Sequence, residues 1–181
     1  MSKSHARALG RDDLIASSYT LSGTPVFEPP RFAFAERVAA AAKAGFAGIG
    51  VAIEDYAAIR EGGMPAQEMR KILDDHGIRA AELEFLQDWW HDGERARRAR
   101  ANEDVFYAAA DALGSRHINV GCAAPRATLP SLEILAEQFA GLCDRAARHG
   151  LLIAFEFLLW SDIDERLGVS SDWPVARMAA S

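Results

Sequence analysis

Five short apolar runs open at Asp13, Ala47, Ile78, His117 and Leu151, so they recur every 31 to 39 residues along the 181-residue chain. Between them lie stretches whose apolar residues fall at helical spacing. That rhythm constrains the fold strongly, because parallel strands need long crossover connections, and those are usually helices. The runs are residues 13–19 (DLIASSY), 47–53 (AGIGVAI), 78–85 (IRAAELEF), 117–122 (HINVGC) and 151–158 (LLIAFEFL). Four helices are expected between them. Residues 32–44 carry Phe34, Val38, Ala41 and Ala42 on one stripe and stop at Gly45. Residues 65–76 open on Pro65, carry Met69, Ile72, Leu73 and His76, and stop at Gly77. Residues 94–113 carry Val105, Ala108, Ala109, Ala112 and Leu113 before Gly114, and residues 131–149 carry Leu132, Leu135, Ala136, Phe139, Cys143 and Ala146 before Gly150. Proline suits a first helical turn and glycine the left-handed residue after a last one.

The pattern reads as one α/β domain spanning residues 1–181, with a core at 13–162 and an irregular tail at 163–181, where Gly, Ser and Pro174 interrupt any longer element. A closed eight-stranded α/β barrel takes about 250 residues, so five strands leave two architectures open. One is the first part of such a barrel, with strands in order 1-2-3-4-5. The other is a complete flavodoxin-like sheet in order 2-1-3-4-5, binding a nucleotide or acting as a signalling receiver.

Composition narrows the partners. Twenty Lys and Arg against 26 Asp and Glu give a net charge of −6, which argues against a nucleic-acid surface. The basic cluster Arg95, Arg97, Arg98 and Arg100 sits among Glu94, Glu103 and Asp104 and reads as a solvated helix face. No apolar stretch reaches bilayer length, and the first 13 residues lack the apolar core of a signal peptide. Cys122 and Cys143 show no CxxC spacing and read as buried thiols of a cytoplasmic protein.

Ligands of parallel α/β sheets bind at the carboxyl ends of the strands. The first strand ends in Ser17, Ser18, Tyr19 and Thr20, and the second in Glu54 and Asp55. The third carries Glu82 and Glu84 on one face, then Asp88, Trp89, Trp90 and His91. Asn119 and Cys122 mark the fourth; Glu156, then Trp160 and Asp162, mark the fifth. Glu156 stands out because it sits between Phe155 and Phe157, where a buried carboxylate needs an ion-pair, hydrogen-bond or metal partner. Trp89 and Trp90 suit either a platform for a sugar ring or a loop anchor. His91 and His117 have no ligand spacing, and His76 and His149 each precede a glycine, where a histidine complements the helix dipole.

Two other motifs fail. Gly45, Gly48 and Gly50 form GxxGxG before and within a strand, whereas a dinucleotide fingerprint needs a strand-to-helix turn. Residues 17–24 (SSYTLSGT) are rich in hydroxyls, but Pro25, Pro29 and Pro30 separate them from the next long helix.

Three segments carry a resemblance: residues 35–56 (AERVAAAAKAGFAGIGVAIEDY), 80–89 (AAELEFLQDW) and 132–160 (LEILAEQFAGLCDRAARHGLLIAFEFLLW). Over residues 14–162 the chain resembles the sugar phosphate isomerase/epimerase family, the xylose isomerase-like barrels that also include endonuclease IV. The resemblance implies a partial (β/α)8 TIM barrel of five sequential parallel strands, interrupted after the fifth. It implies a divalent metal (Mn, Mg, Co or Zn) acting as Lewis acid on a sugar or sugar phosphate, with a proton moving beside the carbonyl through an enediolate. On this reading Glu156 is the catalytic residue and a metal ligand, while Glu84, Trp89, Asn119 and Trp160 contact substrate. Asp162 is a weaker candidate. The family's other ligands come from strands six to eight, so a second copy or a partner chain is expected to complete the barrel. A remnant that binds sugar without turning it over is the alternative.

Overall fold

The computed structural model describes residues 9–25, 28–122 and 129–156. Its strands are β1 (Ile15–Ala16), β2 (Gly48–Ala52), β3 (Ala80–Leu86), β4 (His117–Val120) and β5 (Leu152–Phe155). All four neighbouring pairs are parallel, and the order is β1-β2-β3-β4-β5. Sequential order is that of a barrel wall, so the flavodoxin-like alternative is overturned.

Register explains how one face becomes core and the other a site. Ile49, Val51, Ala81, Leu83, Ile118 and Val120 are buried on one face. Helices α2 (Phe34–Lys43), α4 (Ala66–Asp75), α5 (Gly93–Leu113) and α6 (Leu132–Arg148) cover that face, bringing Val38, Met69, Leu73, Phe106, Leu113 and Leu142. The opposite face carries Gly48, Gly50 and Ala52 beside Ala80, Glu82 and Glu84, then His117 and Asn119 beside Leu152 and Ala154.

The four expected helices are all present, but the described residues hold two more. Helix α1 (Ser18–Ser22) starts where the first strand was expected to continue, because Ser17 caps it by accepting from the Tyr19 N–H. Helix α3 (Ile53–Glu61) leaves β2 directly, so Glu54 and Asp55 lie in its first turn rather than at a strand end. Both lack a clean apolar stripe and are invisible to periodicity.

The stripe expected on α5 is also corrected. Ala99, Glu103, Phe106, Ala110 and Leu113 face inward, whereas Val105 and Ala108 are exposed. Glu103 is therefore not part of a solvated face. It is 2% exposed and takes a two-pronged ion pair from Arg145 of α6 at 2.6 and 2.8 Å, plus the Tyr107 hydroxyl at 3.1 Å. Among the described residues no helix is long and apolar enough to cross a membrane. No disulfide joins Cys122 and Cys143; the former is buried and the latter half-buried.

Candidate functional site at the strand ends

The sheet face opposite the core helices carries three acids, each held by a polar neighbour. Glu82 meets His117 across β3 and β4, with Oε2 2.9 Å from Nε2. Glu84 is 3% exposed; it accepts from the Ser17 hydroxyl at 3.1 Å and the Ser18 backbone N–H at 3.2 Å. Glu156 accepts from Asn119 Nδ2 at 2.8 Å. A bulge in β3 sets this arrangement, because Leu83 pairs with Ile118 and Leu86 with Val120, leaving two residues opposite one. Bulges re-aim side chains, and here Glu84 turns toward the β1 end. Gly50 makes the room: a Cβ there would overlap Glu84 Oε1 and approach the Ser18 nitrogen to 2.7 Å.

Burial and the charge of Glu82 push the Glu84 carboxyl up to about 7, against the pull of Ser17 and Ser18, with Glu156 adding to the rise. Tyr19, half-buried in α1, is pushed up to about 12, first by burial and then by Glu54, Glu84 and Glu156. Its phenol thus keeps its proton at any ordinary pH. Ser17, Ser18, Tyr19 and Glu82 were placed at strand ends but given no role in the site, and Gly50 and the pairing of Glu82 with His117 were not expected. Their sequence signals are slight: a glycine alternating into an apolar strand, and hydroxyls at the end of the first run.

The expected site residues divide. Glu84, Asn119 and Glu156 share the strand-end region. Glu156 is not buried, as its apolar flanks suggested: β5 ends at Phe155, and Glu156 follows it exposed, its N–H on the Val120 carbonyl at 2.8 Å. Trp89, for which a sugar platform and a loop anchor were both open, packs here as an anchor. It is 3% exposed, its indole N–H donates to the Gly121 carbonyl at 3.0 Å, and Trp90, Phe139 and Phe155 meet its ring edge to face. Trp160 and Asp162 lie outside the described residues. His76 caps α4 through the Ile72 carbonyl, and His149 caps α6 while stacking on Tyr107.

Among the described residues, no three His, Cys, Asp or Glu side chains come together to hold a metal ion. One carboxylate such as Glu156 does not hold a divalent ion in catalytic geometry. The described residues therefore do not fit a complete metal site.

A family model described as a xylose isomerase-like TIM barrel matches residues 38–170. No curated protein matches. Among solved structures, a xylose isomerase-like TIM barrel/4-hydroxyphenylpyruvate dioxygenase fusion protein is similar at 21% identity and TM-score 0.64, over 81% of this chain and 22% of that one. A xylose isomerase domain containing protein from Salmonella typhimurium LT2 is similar at 11% identity and TM-score 0.65, over 87% of this chain and 57% of that one. The IOLI protein, solved with a zinc atom, is similar at 15% identity and TM-score 0.62, over 81% of this chain and 51% of that one. At these identities the likeness is one of fold, and this chain spans between 22% and 57% of their lengths.

Proposed function

Because the chain belongs to the xylose isomerase-like TIM barrel family, we propose that its strand ends form one wall of a sugar isomerase or epimerase site. The reaction moves a proton beside the carbonyl of a sugar or sugar phosphate in the cytoplasm. The observation that carries this reading is the set of carboxylates at the strand ends, with a protonated phenol among them.

Glu156 is exposed and steered by Asn119, which suits it to take the proton from the carbon next to the carbonyl. The C–H electron pair becomes a carbon–carbon double bond while the carbonyl pair moves to oxygen. Tyr19 donates a hydrogen bond to that oxygen, where charge develops. Return of the proton to the former carbonyl carbon, with the hydroxyl proton passing to the other oxygen, yields the isomer. Delivery of a different proton to the original carbon from the opposite face, by water or a second acid, while Glu156 later gives its own proton to solvent, yields the epimer. Glu84, closed off from solvent, is a positioning residue that holds the turn bearing Tyr19. Among the described residues no ligand cluster stands ready to hold a metal.

That missing cluster also favours a second reading, a sugar-binding module without turnover. Deuterium exchange separates the two. Aldoses, ketoses and their phosphates are incubated in D2O with the protein and followed by proton NMR. An isomerase or epimerase labels the carbon beside the carbonyl, and Glu156→Gln lowers that rate at least 100-fold, a typical scale for a lost general base. Binding with no label in any sugar leaves only the module; a label unaffected by Glu156→Gln removes Glu156 from the chemistry.

A further inference from the structure

Beside the carboxylates opens a cavity of about 580 Å³, between the turn after β1, the 28–34 segment and α3. This volume lies within the usual range for small-molecule sites, about 300–1,000 Å³. The cavity and the candidate site share residues. Ser18, whose N–H donates to Glu84, lines both, and so does Tyr19, which senses Glu54, Glu84 and Glu156. The rest of the lining pairs an apolar stretch, Pro30, Phe32, Phe34 and Ile59, with the charged groups of Glu28 and Glu54.

That wall is held in place. Arg37, 2% exposed, donates from Nε to the Phe32 carbonyl at 3.1 Å and from Nη2 to Asp55 at 2.6 Å, tying the 28–34 segment to α3. Gly23, in the left-handed region at φ 72°, lets the Phe32 ring lie where a Cβ would stand. The Arg31 guanidinium lies 5.9 Å above the same ring.

A bare sugar does not suit the apolar stretch of this wall, where its hydroxyls would give up water against proline, phenylalanine and isoleucine side chains that return no hydrogen bond. The geometry points to a substrate with an apolar, aryl-sized substituent: the polyhydroxylated end lies at the carboxylates and the substituent fills the cavity. The polar half of this inference rests on the proposed sugar chemistry, whereas the cavity half does not.

The test is a binding titration of the full 181-residue chain with phenyl β-D-glucoside, methyl β-D-glucoside and phenol. The phenyl glucoside is expected to bind at least tenfold tighter than the methyl glucoside. Ala58→Trp, which fills the cavity from an exposed position on α3, is expected to cut that advantage below twofold and leave methyl glucoside binding unchanged. Phe32→Ser, at a residue 47% exposed, gives a second variant with the same direction and little demand on folding. Equal affinity for the two glucosides, or a phenyl advantage that survives both substitutions, overturns the inference and leaves the sugar reading standing. Phenol binding as tightly as phenyl glucoside and lost in Ala58→Trp upholds the apolar cavity and overturns the placing of the sugar ring at the carboxylates. Binding of none of the three overturns the inference, and the deuterium-exchange test then decides the sugar chemistry separately.

Discussion

At Glu84 two influences oppose each other. Burial and Glu82 favour the neutral acid, and the Ser17 and Ser18 donors favour the carboxylate; burial prevails, at about 7 against an ordinary 4.5. Below about 4.5 the carboxyl is protonated whether the chain is folded or not. Between 4.5 and 7 the unfolded chain releases the proton while the fold retains it, so stability falls as pH rises through that window. Glu84→Gln copies the neutral form. Relative to the native chain it is expected to gain about 3 kcal/mol between pH 4.5 and 8, a widening in Tm of roughly 10 °C. Thermal melts of both proteins across that range check it; a constant difference would contradict the buried-acid account. Gly50→Ala places a methyl in the space occupied by Glu84 Oε1. A loss of about 1–3 kcal/mol is expected from overpacking, read by urea denaturation, and Gly50→Ala with Glu84→Ala should recover part of it. The sequence marks Glu156 as unusual through its apolar neighbours, but not as exposed, because exposure at a strand end depends on what stands beyond that end.

Between elements, the weight of an ion pair follows its burial. Glu103 on α5 and Arg145 on α6 are both largely closed to solvent, so Arg145→Met leaves a buried carboxylate with only the Tyr107 hydroxyl and the half-exposed Arg100 at 3.7 Å. The expected cost is about 3–5 kcal/mol in urea denaturation. By contrast, Lys71→Ala removes an exposed partner from Asp75 on α4 and is expected to cost under about 0.5 kcal/mol. Periodicity located α2, α4 and α6 within a residue or two, since their apolar residues form a single stripe. On α5 the alanines at 108–110 and 112 fit more than one stripe, and the stripe that packs includes Glu103. Helices α1 and α3 escaped because a capping serine and a backbone turn define them, with no apolar repeat.

Over the whole molecule, β1 and β5 lie at the two ends of the sheet. Leu152 on β5 is 72% exposed and Leu14, just before β1, is 65% exposed. Sheet edges and exposed apolar side chains favour association, which supports the proposed second copy or partner chain. Sedimentation of the purified chain is expected to show a mass above the 19.7 kDa monomer, and Leu152→Lys is expected to shift the population back toward monomer at least several-fold. A monomer at all concentrations would remove the self-association proposal.

Strand count, parallel pairing and the shared face of Glu82 and Glu84 on β3 were all present in the order of the residues, because alternation and turn signals act over a few positions of chain. Which acid is closed in and which is open was decided by the tertiary structure. Glu84 lies under the serines of α1, 66 and 67 positions earlier; Trp89 disappears beneath Phe139 and Phe155; and a cavity forms where α1 and α3 leave the strands. Each of these depends on desolvation by groups distant in sequence, a quantity that no local pattern carries.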